Sequence, residues 1–313
     1  MAAMSHRCRL YECVHTILLL MIQDFAFIMV ESRDENYSIL PNSNDLCPVQ
    51  HCFTLSELAA STIHSSWDTT TTTTLTFLPG NHNLSQQLNI ANISEISMIT
   101  HSANTHCTIT CTQPVTFHNI DRVHVGGLKF INCGGNIVEE VNQLTLEQSE
   151  FMDSIETALE IISTTARIIN SSFIGNSFGQ YRDDVTTDVR TSLSVVSAII
   201  ISASNVSIAD SRFERNTAGA VFAFYQSVTV TITGGQYSNS TAGRKDGGAV
   251  ISVNTSNISI TNSRFINNTG GVVDGNDIII HVNNCHFERN SACLLYTSPS
   301  PRDATLSRMP SSA

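Results

Sequence analysis

Eight carboxylates stand out as groups that could act on a sugar chain or hold calcium. They are Asp183, Asp184, Asp188 and Asp210, with Glu139, Glu140, Glu147 and Glu150 elsewhere. Polysaccharide cleavage needs acids clustered on one face, as calcium ligands or as a paired acid and base, plus a basic residue to handle substrate charge. None of the eight lies at a spacing that defines such a set, so no catalytic, metal or cofactor residue is assigned. They read as solvated loop acids, and His124 in His124-Val-Gly-Gly127 reads as a lone outward side chain. Six of the nine cysteines remain once Cys8, Cys13 and Cys293 are set aside as parts of the two ends. Cys47 and Cys52 flank a short loop and could pair. Cys107, Cys111 and Cys133 sit close enough for one disulfide, Cys111–Cys133 being one option, although spacing alone does not fix connectivity. Zinc is disfavoured because no Cys-x-x-Cys occurs. Cys285 stands where related segments carry Ser, as a small inward residue.

The elements that must position these groups are legible as a repeat. Segments such as Ser171-Ser-Phe-Ile-Gly-Asn176, Ser211-Arg-Phe-Glu-Arg-Asn216, Ser263-Arg-Phe-Ile-Asn-Asn268 and Cys285-His-Phe-Glu-Arg-Asn290 recur. The aromatic falls at Phe130, Phe151, Phe173, Phe213, Tyr237, Phe265 and Phe287, with spacings of 21, 22, 40, 24, 28 and 22. Short alternating runs precede it, such as Val228-Thr-Val-Thr-Ile232, and second runs follow it, such as Ala198-Ile-Ile-Ile201. β-Branched runs bounded by Gly, Asn and Ser are strand signals.

A period near 22 with two or three strands predicts an all-β, right-handed parallel β-helix, each repeat burying its inward face only by stacking on its neighbours. The aromatic then points inward and stacks rung on rung at about 4.8 Å. The Asn three residues later (Asn176, Asn216, Asn268, Asn290) is expected at a corner, tolerating left-handed backbone and forming a ladder. The 40-residue spacing predicts one coil with an insertion near 179–192. Less regular strands upstream bring the expectation to nine or ten coils, a rod on the order of 45 Å long.

The organisation expected is a leader over 1–30, an N-terminal segment and cap over 31–66, the β-helix over 67–292, and a tail over 293–313. Arg7 and Arg9 ahead of the apolar run Val14–Val30 give the leader a secretory pattern. Thr54-Leu-Ser-Glu57 has the capping-box pattern of a helix start, and a helix over 54–64 is expected to cap the open strand edges. The tail, from Cys293-Leu-Leu-Tyr-Thr-Ser to Ser307-Arg-Met-Pro-Ser-Ser-Ala313, resembles a translated sequencing adapter and is expected to be disordered.

Composition narrows the partners. A net charge of -11 with no basic segment argues against nucleic acid, whose phosphates are met by Lys and Arg. Nine Asn-x-Ser/Thr sequons begin at Asn36, Asn83, Asn92, Asn170, Asn205, Asn239, Asn254, Asn257 and Asn267 and are glycosylation candidates in a secreted chain. The Phe-x-x-Asn elements, with Gly247-Gly-Ala-Val250, resemble the repeat of the polymorphic outer-membrane protein family and the right-handed, pectin-lyase-like β-helix ectodomains of surface proteins. The resemblance covers residues 75–292 and implies a secreted or cell-surface rod that binds a carbohydrate or a surface protein without catalysis. The alternatives are a polysaccharide lyase or glycoside hydrolase with acids on the 179–192 insertion, and a spacer within a larger surface receptor. Membrane attachment would come through sequence beyond Ala292.

Overall fold

The computed structural model describes residues 34–40, 52–60, 72–102, 107–177, 198–217, 221–224, 228–241, 249–254, 256–269, 271–276, 278–291 and 295–297. The leader, Cys47, the Thr69–Thr71 run, the 179–192 insertion with Asp183, Asp184 and Asp188, and Gly247-Gly248 lie outside the described residues.

Every strand pairing is parallel, and each joins segments one coil apart, save one at the N-terminal end. The chain is a parallel β-helix with three strands per coil. An aromatic face is a nine-stranded ladder that includes Leu128–Ile131, Ser172–Ile174 and His286–Glu288. Next along the chain comes a first face, with Leu159–Ile162 and Ile199–Ser202. A second face follows, with Thr72–Phe77, Glu95–Thr100, Thr165–Ile169, Asn205–Ala209, Val228–Thr233 and Ser256–Thr261. In two coils the strand runs unbroken from the first face into the second: Val115–Gly126 and Asn136–Glu147.

Alternation drives this. In Thr165–Ile169 the burial order is exposed, buried, exposed, buried, intermediate, with Ala166 and Ile168 in the core. A strand's side chains alternate between faces, so one side of each strand fills the core and the other is presented to water. Seven rings stack through the interior, at centroid spacings of 4.7–5.2 Å and interplanar angles of 4–10°. Phe173 and Phe213 are direct register partners, so the 40-residue spacing is one coil with an excursion. The seven aromatic turns form the regular part of the rod; two more strands, Gly80–Leu84 and Cys107–Cys111, complete the nine-stranded ladder.

Left-handed residues mark three kinds of corner, although the turns after Gly80–Leu84 and Cys107–Cys111 have none. After the second face come Gln148, Asn170, Asp210, Asn262 and Asn284; after the aromatic face Asn132, Asp153, Arg215, Asn239, Asn267 and Arg289; after the first face Asn92, Asn119, Glu140, Ser163 and Ala203. The next residue turns inward. Here the expectation for the Phe-x-x-Asn motif needs correcting: the left-handed residue is the one before the Asn. Asn176, Asn216 and Asn268 are buried. The Asn176 and Asn268 N–H groups donate to the side-chain oxygens of Asn216 and Asn290, both at 3.0 Å. Their amides also donate to the Phe151, Phe173, Tyr237 and Phe265 carbonyls. Ser ladders do the same work at the other corners, as in Ser171 N–H to Ser211 Oγ at 3.2 Å and Thr164 N–H to Ser204 Oγ at 3.0 Å. A corner breaks the backbone ladder, and a buried N–H without an acceptor costs about 1–3 kcal/mol, so a short polar side chain belongs there.

Two differences from expectation sit at the ends. Asp34–Leu40, placed by the sequence in an N-terminal segment ahead of the β-helix, is a strand paired in register with Thr72–Phe77, and Cys52–Thr54 covers its other edge. Its core contribution is Tyr37, Ile39 and Leu40, too short a pattern to stand out beside polar neighbours. The helix is described over Leu55–Ala60, residues 61–64 of the expected span lying outside the described residues, and its capping box is made: Thr54 N–H donates to Glu57 Oε2 at 2.7 Å, and Glu57 N–H to Thr54 Oγ1 at 3.2 Å. Leu55 and Leu58 bury against the core. At the other end, Leu295–Thr297 is a strand on Val273–Gly275 rather than disordered. An open parallel edge offers backbone groups to any β-prone segment, and Leu-Tyr-Thr is one.

Candidate functional site

The outward rows of the second face follow from register. One row runs Glu95, Arg122, Gln143, Thr165, Asn205, Thr229, Asn257, Ile279. The row beside it runs Ser97, His124, Thr145, Arg167, Ser207, Thr231, Ser259, His281. Charge is concentrated toward the N-terminal end of these rows, at Glu95, Arg122 and His124, with Arg167 two coils beyond His124.

Arg122 Nη2 lies 2.6 Å from Glu95 Oε2 on the preceding coil. His124 Nε2 lies 3.1 Å from Glu147 Oε1 on the following coil. At the corner between the first and second faces, His118 Nδ1 is 3.6 Å from Glu139 and its Nε2 is 3.7 Å from Glu140. Around the edge on the aromatic face, Lys129 Nζ is 3.5 Å from Glu150. The reading of His124 as alone and of these glutamates as loop acids is therefore corrected: the acids stand on strands, and stacking brings each opposite a base about one coil away in sequence. Glu147 is the register partner of Gly126, and a Cβ on Gly126 would lie 3.2 Å from His124 Nε2. The missing side chain is what lets the imidazole lean over to its carboxylate.

Beneath this strip the coil is clipped. Cys111 and Cys133 form a disulfide one turn apart, at the corner where later coils use Asn and Ser. Cys107 keeps its thiol, 3.4 Å from the Phe77 carbonyl oxygen. Cys285 occupies the Ser slot and donates as Ser does, to Asn283 O at 3.3 Å. The interior below holds an apolar void of about 30 Å³ among Met98, Phe117, Val125 and Phe130, room for a single water and for no ligand.

Other sequence candidates scatter. Asp210 is a left-handed corner residue. Among the described residues no group of three or more His, Cys, Asp and Glu could hold a metal ion. Asn83, Asn92, Asn170, Asn205, Asn239, Asn257 and Asn267 are all exposed, while Asn36 and Asn254 lie on strands without described side chains. No helix among the described residues is long and apolar enough to cross a membrane.

No family model and no curated protein sequence matches the chain. Among solved structures it is similar to ORF18 of Geobacillus virus E2, at 13% identity and a TM-score of 0.47 over 73% of this chain and 54% of that one. It is similar to pectate lyase Pel9A, at 13% identity and 0.33 over 85% and 81%, and to the Streptococcus pneumoniae surface protein and adhesin PfbA, at 11% and 0.23 over 86% and 92%. This chain spans about half the length of the Geobacillus virus chain. Likenesses this loose carry no argument about activity. The three-faced parallel solenoid itself fits a pectin-lyase-like β-helix.

Proposed function

We propose that this chain is an extracellular or cell-surface recognition domain that binds a carbohydrate or a surface protein on the charged strip, without catalysis. The observation that carries the reading is the register of that strip: Glu95–Arg122 and His124–Glu147 stand on a flat, hydrogen-bonded sheet as pre-ordered pairs of opposite sign. A surface whose polar groups are fixed before contact loses little entropy on binding. A disulfide fits an oxidising compartment, as do the leader pattern and the sequons. Glycoside cleavage calls for one carboxylic acid kept protonated by burial, whereas Glu139, Glu140 and Glu147 are 38%, 60% and 44% exposed and each faces a base.

The test is a glycan-array and cell-surface screen with the secreted full chain, repeated with an Arg122→Ala/His124→Ala variant of unchanged circular dichroism. A ligand bound at least tenfold more weakly by the variant supports the reading; a ligand bound equally by both overturns it. The His124–Glu147 pair keeps one rival in play, since a carboxylate that orients an imidazole is the arrangement of a general base. That rival, a lyase or glycoside hydrolase, predicts depolymerisation of an acidic or neutral polysaccharide that His124→Ala abolishes. Turnover insensitive to that substitution would remove it.

A further inference from the structure

The second face is not uniform in its capacity for modification. Two sequons, Asn205-Val-Ser207 and Asn257-Ile-Ser259, lie within its strands, whereas Asn170, Asn239 and Asn267 occupy left-handed corners. In a strand, residues i and i+2 share a face. Val206 and Ile258 are accordingly buried, and Asn205 and Ser207 project outward together, as do Asn257 and Ser259. The amide and hydroxyl of each sequon are thus displayed side by side.

Register puts the two acceptors in one row, with Thr229 between them. That separation is two rungs, about 10 Å. Between the two acceptors the outward residues are small hydroxyls, Ser207, Thr229, Thr231 and Ser259, and Asn205 and Asn257 are themselves exposed. Asn92 differs: its side-chain oxygen already accepts from Asn119 Nδ2 at 2.7 Å, in a corner ladder. In the same row toward the charged strip, Glu95, Arg122, Gln143 and Thr165 offer no acceptor.

We propose that Asn205 and Asn257 carry N-linked oligosaccharides that stand on the second face and screen its C-terminal half, leaving the charged strip as the uncovered part. The proposal rests on the extracellular reading. In the transfer, each Nδ2 loses one proton and bonds to the anomeric carbon of a lipid-diphosphate-linked oligosaccharide. The sugar–phosphate C–O bond breaks, and the lipid diphosphate leaves with the electron pair. The result is a rod with one neutral half covered by sugar and one charged half open. Glycans at the corners would leave both halves of the face accessible.

The experiment uses the full chain expressed through a eukaryotic secretory pathway. Amidase treatment converts each occupied Asn to Asp, which peptide mass spectrometry detects; conversion at both Asn205 and Asn257 in most molecules is expected. Screening is read separately. A Thr231→Cys probe should react with a bulky maleimide at least threefold faster in an Asn205→Gln/Asn257→Gln background. A Thr145→Cys probe in the charged half should be unchanged, and circular dichroism checks that each variant folds. Occupied corner sequons with Asn205 and Asn257 bare would overturn the proposal and leave the extracellular reading standing. A chain that is not exported would overturn both. Occupancy without any change at Thr231→Cys would overturn the screening.

Discussion

The coils from Cys107 to Glu147 and those from Ser149 onward share one backbone path but solve its corners differently. In the early coils most inward corner residues are apolar or sulfur, Ile120, Leu128, Cys133 and Val141, with Asn136 a buried amide beside Cys133 that accepts from Val115 N–H at 2.9 Å. In the later coils they are Ser149, Ser171, Asn176, Ser204, Asn216, Ser240 and Asn268, each buried. Where hydrogen-bonded ladders hold the corners, identity must propagate from rung to rung, because each side chain serves the N–H of the coil before it. Where one covalent bond holds a corner, most of the inward corner positions are released from that demand, although Asn136 still serves the Val115 N–H. The released coils carry the long unbroken strands and the ion-paired strip. The laddered coils carry the neutral hydroxyl rows. The difference shows that regularity in a solenoid is a property of its corners first and of its faces second.

The largest effect is expected in the core that both regions share. Phe213→Ala opens a hole in mid-stack, between rings 5.0 and 4.9 Å away, and should cost about 3–5 kcal/mol in urea unfolding. An equal loss for Phe287→Ala, on the partly buried last ring, would show that stacking is not the source.

Next is the covalent corner. Replacing Cys111 and Cys133 by Ser should cost about 3 kcal/mol, from the chain entropy of a 22-residue loop. Hydrogen exchange should rise in the early coils and stay low beyond Phe173. Uniform loosening would mean the two regions are not separately held.

The laddered corner has a matching substitution. Asn216→Leu leaves the buried Asn176 N–H without its acceptor and should cost about 1–3 kcal/mol. Val141→Thr in the early region, by contrast, should change stability by less than about 1 kcal/mol, since a hydroxyl there can donate to the carbonyl two residues back, as Thr164 Oγ1 does to Ile162 O at 2.8 Å.

One rung of the laddered region departs from its neighbours and sharpens the rule. Tyr237 stands where the others have Phe, and Gly235 where they have Ser. A Cβ on Gly235 would come within 2.7 Å of the Tyr237 ring and 3.2 Å of its hydroxyl oxygen, so the two replacements compensate. Gly235→Ser alone should destabilise, and Tyr237→Phe should rescue it, with a coupling of about 0.5–3 kcal/mol in a double-mutant cycle. The Tyr237 hydroxyl is buried without a hydrogen-bond partner. Burial first, and the Cys285 charge second, push its ionisation far above the ordinary 10.0. The folded state then holds this proton more tightly than the unfolded chain. Stability is intact below pH 10 and falls as pH rises further, by up to about 1.4 kcal/mol per unit. Alkaline urea titrations should show that slope diminished in Tyr237→Phe.

The smallest stability effect is expected at the strip itself. Glu147→Gln loses an exposed pair and should change stability by about 0–1 kcal/mol. A large loss would make the strip structural rather than a contact surface.

The repeat was legible because parallel stacking makes identical demands on each coil. A ring every 22 residues or so and an Asn three places later recur for the same steric and hydrogen-bonding reasons each time. Cys111 and Cys133 were readable as a candidate pair because their separation is one period. The strand Asp34–Leu40 was not, since one rung at an end carries no repetition to reveal it. Sequence thus determined the architecture, the aromatic core and the single-coil nature of the 40-residue spacing. Only the tertiary structure decided which residue of each corner is left-handed, and that Glu95, Arg122, His124 and Glu147 meet in pairs. Those meetings depend on register between coils, and a shift of one residue would have turned every one of these side chains to the opposite face.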